Sequence, residues 1–86
     1  MQIFYNQHFT PPPFPTREVI LSKLTSQESK TLMLAAADLS NKEIAKHLFI
    51  SDKTVKKHRQ NIYEKLNLHG KSEIRKFLRY FDALFR

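Results

Sequence analysis

The sequence predicts an all-α domain of four helices behind an extended, proline-rich N-terminal arm. After residue 24, apolar residues recur at the three- and four-residue spacings of helices, without β-like alternation. Serine or threonine precedes three of these segments, where helices would begin. Four prolines between residues 11 and 15 favour extended backbone. Because 86 residues permit one domain, we expect residues 1–23 to be an arm or linker, with a short helical turn at 17–23, and residues 24–86 to be the folded unit.

The first two predicted helices begin at capping boxes. In such a box, a serine or threonine and a glutamate three residues later each accept the other's backbone N–H. Thr25 and Glu28 form the first box, so a helix begins near Ser26, and Ser40 and Glu43 form the second. The apolar stripes that face the core are Leu32, Ala35 and Ala36 in the first helix, and Ile44, Ala45 and Leu48 in the second.

The third predicted helix begins after Ser51 and is followed by a fourth. Asp52 lies in the first turn of the third helix, where a carboxylate suits the helix dipole. Gly70 is expected to end this helix, and the fourth runs from about Ser72 to near the C-terminus. The apolar stripes are Val55, Ile62 and Leu66, with Arg59 or His58 spanning the gap, in the third helix, and Ile74, Phe77, Leu78, Phe81 and either Leu84 or Phe85 in the fourth.

The composition excludes several kinds of site. The chain has no cysteine, which removes disulfides and thiolate metal ligands, and a single glycine rules out a glycine-rich phosphate loop. A secreted domain of this size would usually need disulfides, so we expect a cytoplasmic protein. No apolar run approaches the roughly 20 residues of a membrane span, and no signal peptide is recognisable. The four histidines lack metal-ligand spacing, and no catalytic arrangement is present. We therefore expect no metal, no cofactor and no enzymatic activity.

The positive charge is concentrated in the second half of the chain. Residues 1–40 carry three basic and three acidic side chains, whereas residues 41–86 carry 12 basic and 5 acidic ones, which accounts for the whole net charge of +7. Such asymmetry indicates a polyanionic partner, either nucleic acid or an anionic membrane surface, or else a solvated helical surface rich in lysine. We expect no membrane binding, because the apolar stripe of the last helix is needed for the core.

The second and third helices together have the features of a helix-turn-helix. Both are short, a tight turn joins them, and the second of the pair is basic and capped by Ser51. In such a unit the second helix enters the major groove of DNA with a polar, basic face and packs its apolar face on the domain. At roughly 100° per residue, Val55 and Ile62 lie opposite the basic face. The candidate DNA-binding residues are Lys53, Lys56, Lys57 and Gln60 on the face, and Ser51, Thr54 and Asn61 at its flanks.

The sequence of this region resembles the LuxR-type, or GerE-type, helix-turn-helix of bacterial transcription regulators. The resemblance is carried by S-N-K-E-I-A at residues 40–45 and by I-S-x-x-T-V-K-x-H-x-x-N-I-x-x-K-L at residues 50–66, and it covers about residues 24–80. It implies a four-helix domain that binds double-stranded DNA through its third helix, usually as a dimer on a two-fold site, with RNA polymerase as a possible further partner. It implies base contacts for Lys56, Lys57 and Gln60, phosphate contacts for Ser51, Thr54 and His58, and positions near the DNA backbone for Asn41 and Lys42.

Three residues of the first helix depart from the family pattern. Asp38 stands where the family usually has glycine, and we expect it to adopt left-handed backbone, which aspartate tolerates better than most residues. Gln27 replaces a usual arginine, and Thr31 replaces an apolar residue, so its hydroxyl needs a hydrogen-bond partner. These departures concern the packing of the first helix and leave the basic helix untouched.

The C-terminal helix carries more aromatic residues than its core stripe requires. We expect a dimer contact between two copies of this helix at Phe77, Tyr80 and Phe85, because Ile74, Leu78 and Phe81 suffice for the stripe. Two alternatives remain open for the aromatic residues. They can belong to the core, or the helix-turn-helix can serve as a protein-interaction module through this helix. Salt discriminates between DNA and an apolar protein partner, because only phosphate binding weakens steeply as salt rises.

Overall fold

The computed structural model describes residues 15–85 as five helices. No strand is present in this range, so the predicted all-α fold class is confirmed. The four predicted helices correspond to α2 to α5, and α1 is the helical turn expected before them. Most of the predicted extended arm lies outside the described residues. The helices are α1 (Arg17–Ser22), α2 (Ser26–Ala36), α3 (Asn41–Leu48), α4 (Asp52–Lys65) and α5 (Gly70–Ala83).

Local side-chain caps start α2, α3 and α4 as the sequence predicts. The Thr25 hydroxyl accepts the Glu28 N–H at 3.1 Å while the Glu28 carboxylate accepts the Thr25 N–H at 3.0 Å. Ser40 and Glu43 make the same reciprocal pair at 3.2 and 2.8 Å. Ser51 caps α4 by accepting the Thr54 N–H at 3.0 Å. These bonds satisfy N–H groups that a helix leaves without internal partners.

The ends of α2, α3 and α4 each use a non-glycine residue with left-handed backbone. Asp38 has φ 72°, as expected for a residue in the usual position of a glycine, and Phe49 and Asn67 have φ 57° and 56°. The expectation that Gly70 ends the third predicted helix is wrong, because Asn67 makes that turn and Gly70 opens α5. The Leu68 N–H donates to the Tyr63 carbonyl at 2.8 Å, and the Leu68 side chain is buried. The turn after α4 is therefore complete before the chain reaches Gly70.

The core consists of two groups of buried side chains, and Leu78 of α5 packs against both. The predicted stripes of α2, α3 and α4 supply most of their members. The hydroxyl of Thr31, which is fully buried, donates to the Gln27 carbonyl at 2.8 Å, so this polar substitution is satisfied within α2. The larger group is Ile20, Leu32, Ile62, Leu68, Phe77 and Phe81, and the smaller is Ala35, Ile44, Ala45 and Val55.

The short helix α1 packs on the C-terminal end of α5. Ile20 is fully buried among the larger core group, the Tyr80 hydroxyl donates to the Pro15 carbonyl at 3.2 Å, and the Arg17 guanidinium lies 5.1 Å from the Phe85 ring centroid. The division of the chain after residue 23 stays a prediction, but the core already includes a side chain from before that point.

An ion pair joins the beginning of α2 to the end of α4. The Lys65 Nζ lies 2.7 Å from Glu28 Oε1, and the Glu28 side chain is only 5% exposed. Burial acts to raise the pKa of Glu28, but the hydrogen bonds from Lys65 and from the Thr25 N–H outweigh it and hold that pKa below its ordinary value. One carboxylate therefore caps α2 and ties it to the helix that carries the basic face.

Candidate nucleic-acid interface

The basic helix α4 has one buried face and one solvated face. Val55 and Ile62 are fully or almost fully buried and pack in the two core groups. Opposite them lies the recognition face, which we define as Lys53, Lys56, Lys57 and Gln60. All four are exposed, and together with Thr54 they line a shallow, open concavity.

The charge on the recognition face is available to a ligand. Within residues 15–85 the one ion pair is that between Lys65 and Glu28, so none of the recognition-face lysines is neutralised by a carboxylate. Lysine ammonium groups in this setting can bind phosphate oxygens or the acceptor atoms of guanine, and a glutamine can bond adenine through two atoms. The arrangement suits a polyanion with base edges exposed in a groove.

The hydroxyls of Ser51 and Thr54 lie beside the N-terminus of α4. Their oxygens are 2.9 Å apart, and Ser51 also accepts the Thr54 N–H. The structure therefore brings these two predicted phosphate contacts together at a helix end whose dipole and free N–H groups favour an anion. His58 and Asn61 follow along the same flank of α4, and both are half-buried.

The first turn of α3 contacts α4 through an arginine, a contact that the sequence pattern does not predict. Arg59 Nη1 donates to Asn41 Oδ1 at 2.8 Å, and Arg59 Nε donates to the Tyr63 hydroxyl at 3.1 Å. Lys42, the next residue of α3, is exposed. The helical pattern of the sequence places Arg59 only in the gap of the apolar stripe, since no local pattern links residues 18 positions apart.

The predicted dimer residues do not form one surface. Phe77 is fully buried, so its assignment to a dimer contact is wrong. Ile74 and Leu78 are only half-buried, so they do not fill the core by themselves. The ring of Phe77 stacks on that of Phe81, with 6.0 Å between the ring centroids, and fills the centre of the core. Tyr80 is half-buried against the segment before α1, whereas Phe85 keeps 42% of its surface exposed.

Among residues 15–85, no group of three histidine, cysteine, aspartate or glutamate side chains could hold a metal ion. None of the helices in this range combines the length and the apolar character needed to cross a bilayer.

Comparison with known proteins identifies the domain. Residues 22–78 match the family model GerE, described as bacterial regulatory proteins, luxR family. The chain is 44% identical over 50 residues to the spore germination protein GerE of Bacillus subtilis, and this match covers 58% of the chain and 68% of that protein. No solved structure gave a significant match.

Larger regulators also contain a similar segment. The nitrate/nitrite response regulator protein homolog of Haemophilus influenzae is 49% identical over 51 residues, which cover 59% of the chain and 24% of that protein. The fimbriae Z protein of Escherichia coli K12 is 36% identical over 69 residues, which cover 80% of the chain and 33% of that protein. The chain thus spans a quarter to a third of these relatives. With its family match over residues 22–78, the chain belongs to the LuxR family of bacterial regulatory proteins, which bind DNA and are not enzymes.

Proposed function

We propose that this chain recognises specific sequences in double-stranded DNA by inserting α4 into the major groove. DNA binding and transcription regulation follow from membership of the family. The observation that supports this mode of binding is the exposed, unpaired recognition face opposite the buried Val55 and Ile62. A major groove about 12 Å wide admits one helix. A helix that lies in it must have a polar face toward the DNA and an apolar face packed on the domain.

The side chains divide into two roles in this proposal. Base edges are contacted by Lys56, Lys57 and Gln60, which lie on the recognition face. Phosphates are contacted from the ends and flanks of the helix-turn-helix, where helix N-termini and hydroxyls favour anions. The proposed phosphate-binding residues are Asn41, Lys42, Ser51, Lys53, Thr54, His58 and Asn61.

Assembly on DNA is the second part of the proposal. One recognition helix reads only a few base pairs, so two copies on half-sites about one helical turn apart are expected to bind together. With Phe77 in the core, the contact between copies rests on Phe85 and on the exposed part of Tyr80. RNA polymerase is the protein partner that we propose for a DNA-bound regulator, and the cytoplasm is the compartment in which it would act.

A protein-interaction role for the aromatic helix is less well supported than DNA binding. Phe77 and Phe81 are fully buried and Tyr80 is half-buried, which leaves Phe85, at 42% exposure, as the most exposed aromatic side chain of α5 and the residues that follow it in the described range. An apolar partner would therefore find little surface there, whereas the recognition face offers charge without a partner.

Selection of bound duplexes from a random DNA pool tests the proposed function. We expect enrichment of a defined sequence, with affinity that falls steeply as salt rises. Lys57→Ala should weaken binding to the selected duplex at least tenfold, because a good base contact is worth about 1–3 kcal/mol. Lys30→Ala removes the same charge from α2 and is the matched control, which should bind nearly as well as the wild type. No enrichment, or equal effects of both variants, would contradict the proposal.

The dimer is tested separately by sedimentation on a palindromic duplex of the selected sequence. We expect two chains per duplex, and Phe85→Glu should lower this to one at the same protein concentration while preserving half-site binding. A one-to-one complex of the wild type at saturation would remove the dimer and leave the groove-binding proposal standing.

A further inference from the structure

The contact between Arg59 and Asn41 determines which atoms of the Asn41 amide face outward. A guanidinium carries only hydrogen-bond donors, so the side-chain atom of Asn41 that lies 2.8 Å from Arg59 Nη1 must be the amide oxygen and not the amide nitrogen. The Asn41 NH₂ group is then directed away from Arg59. No residue in the range 15–85 accepts a hydrogen bond from that NH₂ group, so its two N–H bonds remain available to a ligand.

Arg59 is itself held in one orientation. Its Nε donates to the hydroxyl of Tyr63, one turn further along α4, at 3.1 Å, while its Nη1 reaches Asn41. Both Arg59 and Tyr63 are half-buried, so the guanidinium plane is supported by packing as well as by two hydrogen bonds. A lysine at this position would keep the charge but could not make both bonds in this fork geometry.

We propose that Arg59 is a positioning residue for DNA binding. It holds the side-chain amide oxygen of Asn41 so that the Asn41 NH₂ group donates to a DNA phosphate. This inference rests on the proposed function. Asn41 is the first residue of α3, an eight-residue helix, and follows the Ser40 cap. A phosphate there meets the positive end of the α3 dipole, the Asn41 donor and the exposed Lys42. Arg59 acts through Asn41 and makes no phosphate contact of its own.

The test measures coupling between the two residues in DNA binding. The probe is the labelled duplex of the selected sequence, about three helical turns long, titrated with the full chain at about 50 and 200 mM salt. We expect Arg59→Lys and Asn41→Ala each to weaken binding about tenfold, the size of one hydrogen bond to a charged group. In the Asn41→Ala background, Arg59→Lys should have no further effect, since the side chain that it positions is gone. Arg79→Lys, an exposed arginine of α5, is the matched control and should bind as the wild type does.

Asn41→Asp separates positioning from a purely structural tie between α3 and α4. Aspartate keeps the acceptor for Arg59 but replaces the NH₂ donors by a charged oxygen that repels phosphate, so we expect weaker DNA binding without a lower unfolding temperature. A purely structural tie would instead lower the unfolding temperatures of Arg59→Lys and Asn41→Ala and leave the Kd of the folded protein unchanged. This variant also keeps the proposal testable if Arg59→Lys folds poorly.

Two results would overturn the positioning role alone. In the first, the Kd of Arg59→Lys for the duplex lies within about twofold of the wild-type Kd. In the second, the losses of affinity from Arg59→Lys and Asn41→Ala multiply in the double variant. The second result would mean that Arg59 binds phosphate directly. In both cases Lys57→Ala still weakens binding. If the wild type does not bind the duplex, or if Lys57→Ala binds as well as the wild type, the proposed function fails and the positioning role fails with it.

Discussion

The helix-turn-helix of α3 and α4 and the aromatic end formed by α1 and α5 differ in how far local patterns describe them. In the first region, the caps, the apolar stripe and the exposed lysines all stand as the sequence predicts. In the second, aromatic residues predicted for a surface are divided between the core and partly covered positions. A charged side chain in water needs no contact with another segment, so its exposure can be predicted from its position on its own helix. The burial of an aromatic ring depends on which other segments reach it, and here α1, α2 and α4 contribute Ile20, Leu32 and Ile62 to the core group that contains Phe77 and Phe81.

The largest difference between the two regions is expected from truncating the aromatic core. Phe77→Ala should lower the free energy of unfolding by about 3–5 kcal/mol, because it opens a cavity at a fully buried ring. Phe85→Ala removes the same ring from a position that is 42% exposed and should cost much less. Urea unfolding followed by circular dichroism measures both. Equal losses would mean that the two rings are not distinguished by burial.

Within α4, the two faces should respond in opposite ways. Val55→Ala should lower the free energy of unfolding by about 1–3 kcal/mol while the folded protein still binds DNA. Lys57→Ala should leave the unfolding temperature nearly unchanged and weaken DNA binding. Thermal unfolding and duplex titration on the same two proteins check this crossed pattern. A loss of stability in Lys57→Ala as large as that in Val55→Ala would contradict the assignment of the faces.

The Glu28–Lys65 pair supports the helix-turn-helix from outside it, and acid should weaken it. The pKa of Glu28 is lower in the folded chain than in the unfolded one, so the contribution of its charge to stability is complete above the pKa of the unfolded chain and is lost as pH falls through the pKa of the folded chain. Glu28→Gln retains a capping side chain without the charge. We expect the wild type to have a higher free energy of unfolding than Glu28→Gln at neutral pH and to lose that advantage in acid, as measured by urea unfolding at both pH values. An advantage that does not change with pH would contradict the ion-pair role.

The smallest expected effect concerns the turn between α3 and α4. Phe49 has φ 57° and is 94% exposed, so its side chain contributes little burial to offset left-handed backbone. Phe49→Gly should therefore raise the free energy of unfolding by up to about 1 kcal/mol. Phe49→Ala removes the ring but keeps the backbone penalty, so it should be close to the wild type. A destabilised glycine variant would mean that the ring packs in the folded chain.

The sequence by itself determined the features that arise within a few residues of one another. Thr25 with Glu28 and Ser40 with Glu43 are three positions apart, so their reciprocal bonds form as soon as each helix begins. The recognition face follows in the same way from helical periodicity and from solvation of lysine. The motif residues were also sufficient to identify the family, because they lie in one continuous segment.

Only the tertiary structure decided the features that join distant parts of the chain. Asn41 and Arg59 are 18 residues apart, Glu28 and Lys65 are 37, and Pro15 and Tyr80 are 65. No periodicity relates such positions, because each bond depends on how two helices pack. The burial of Phe77 has the same cause, since it is settled by competition among the aromatic and aliphatic residues of α5 for the limited interior of a small domain.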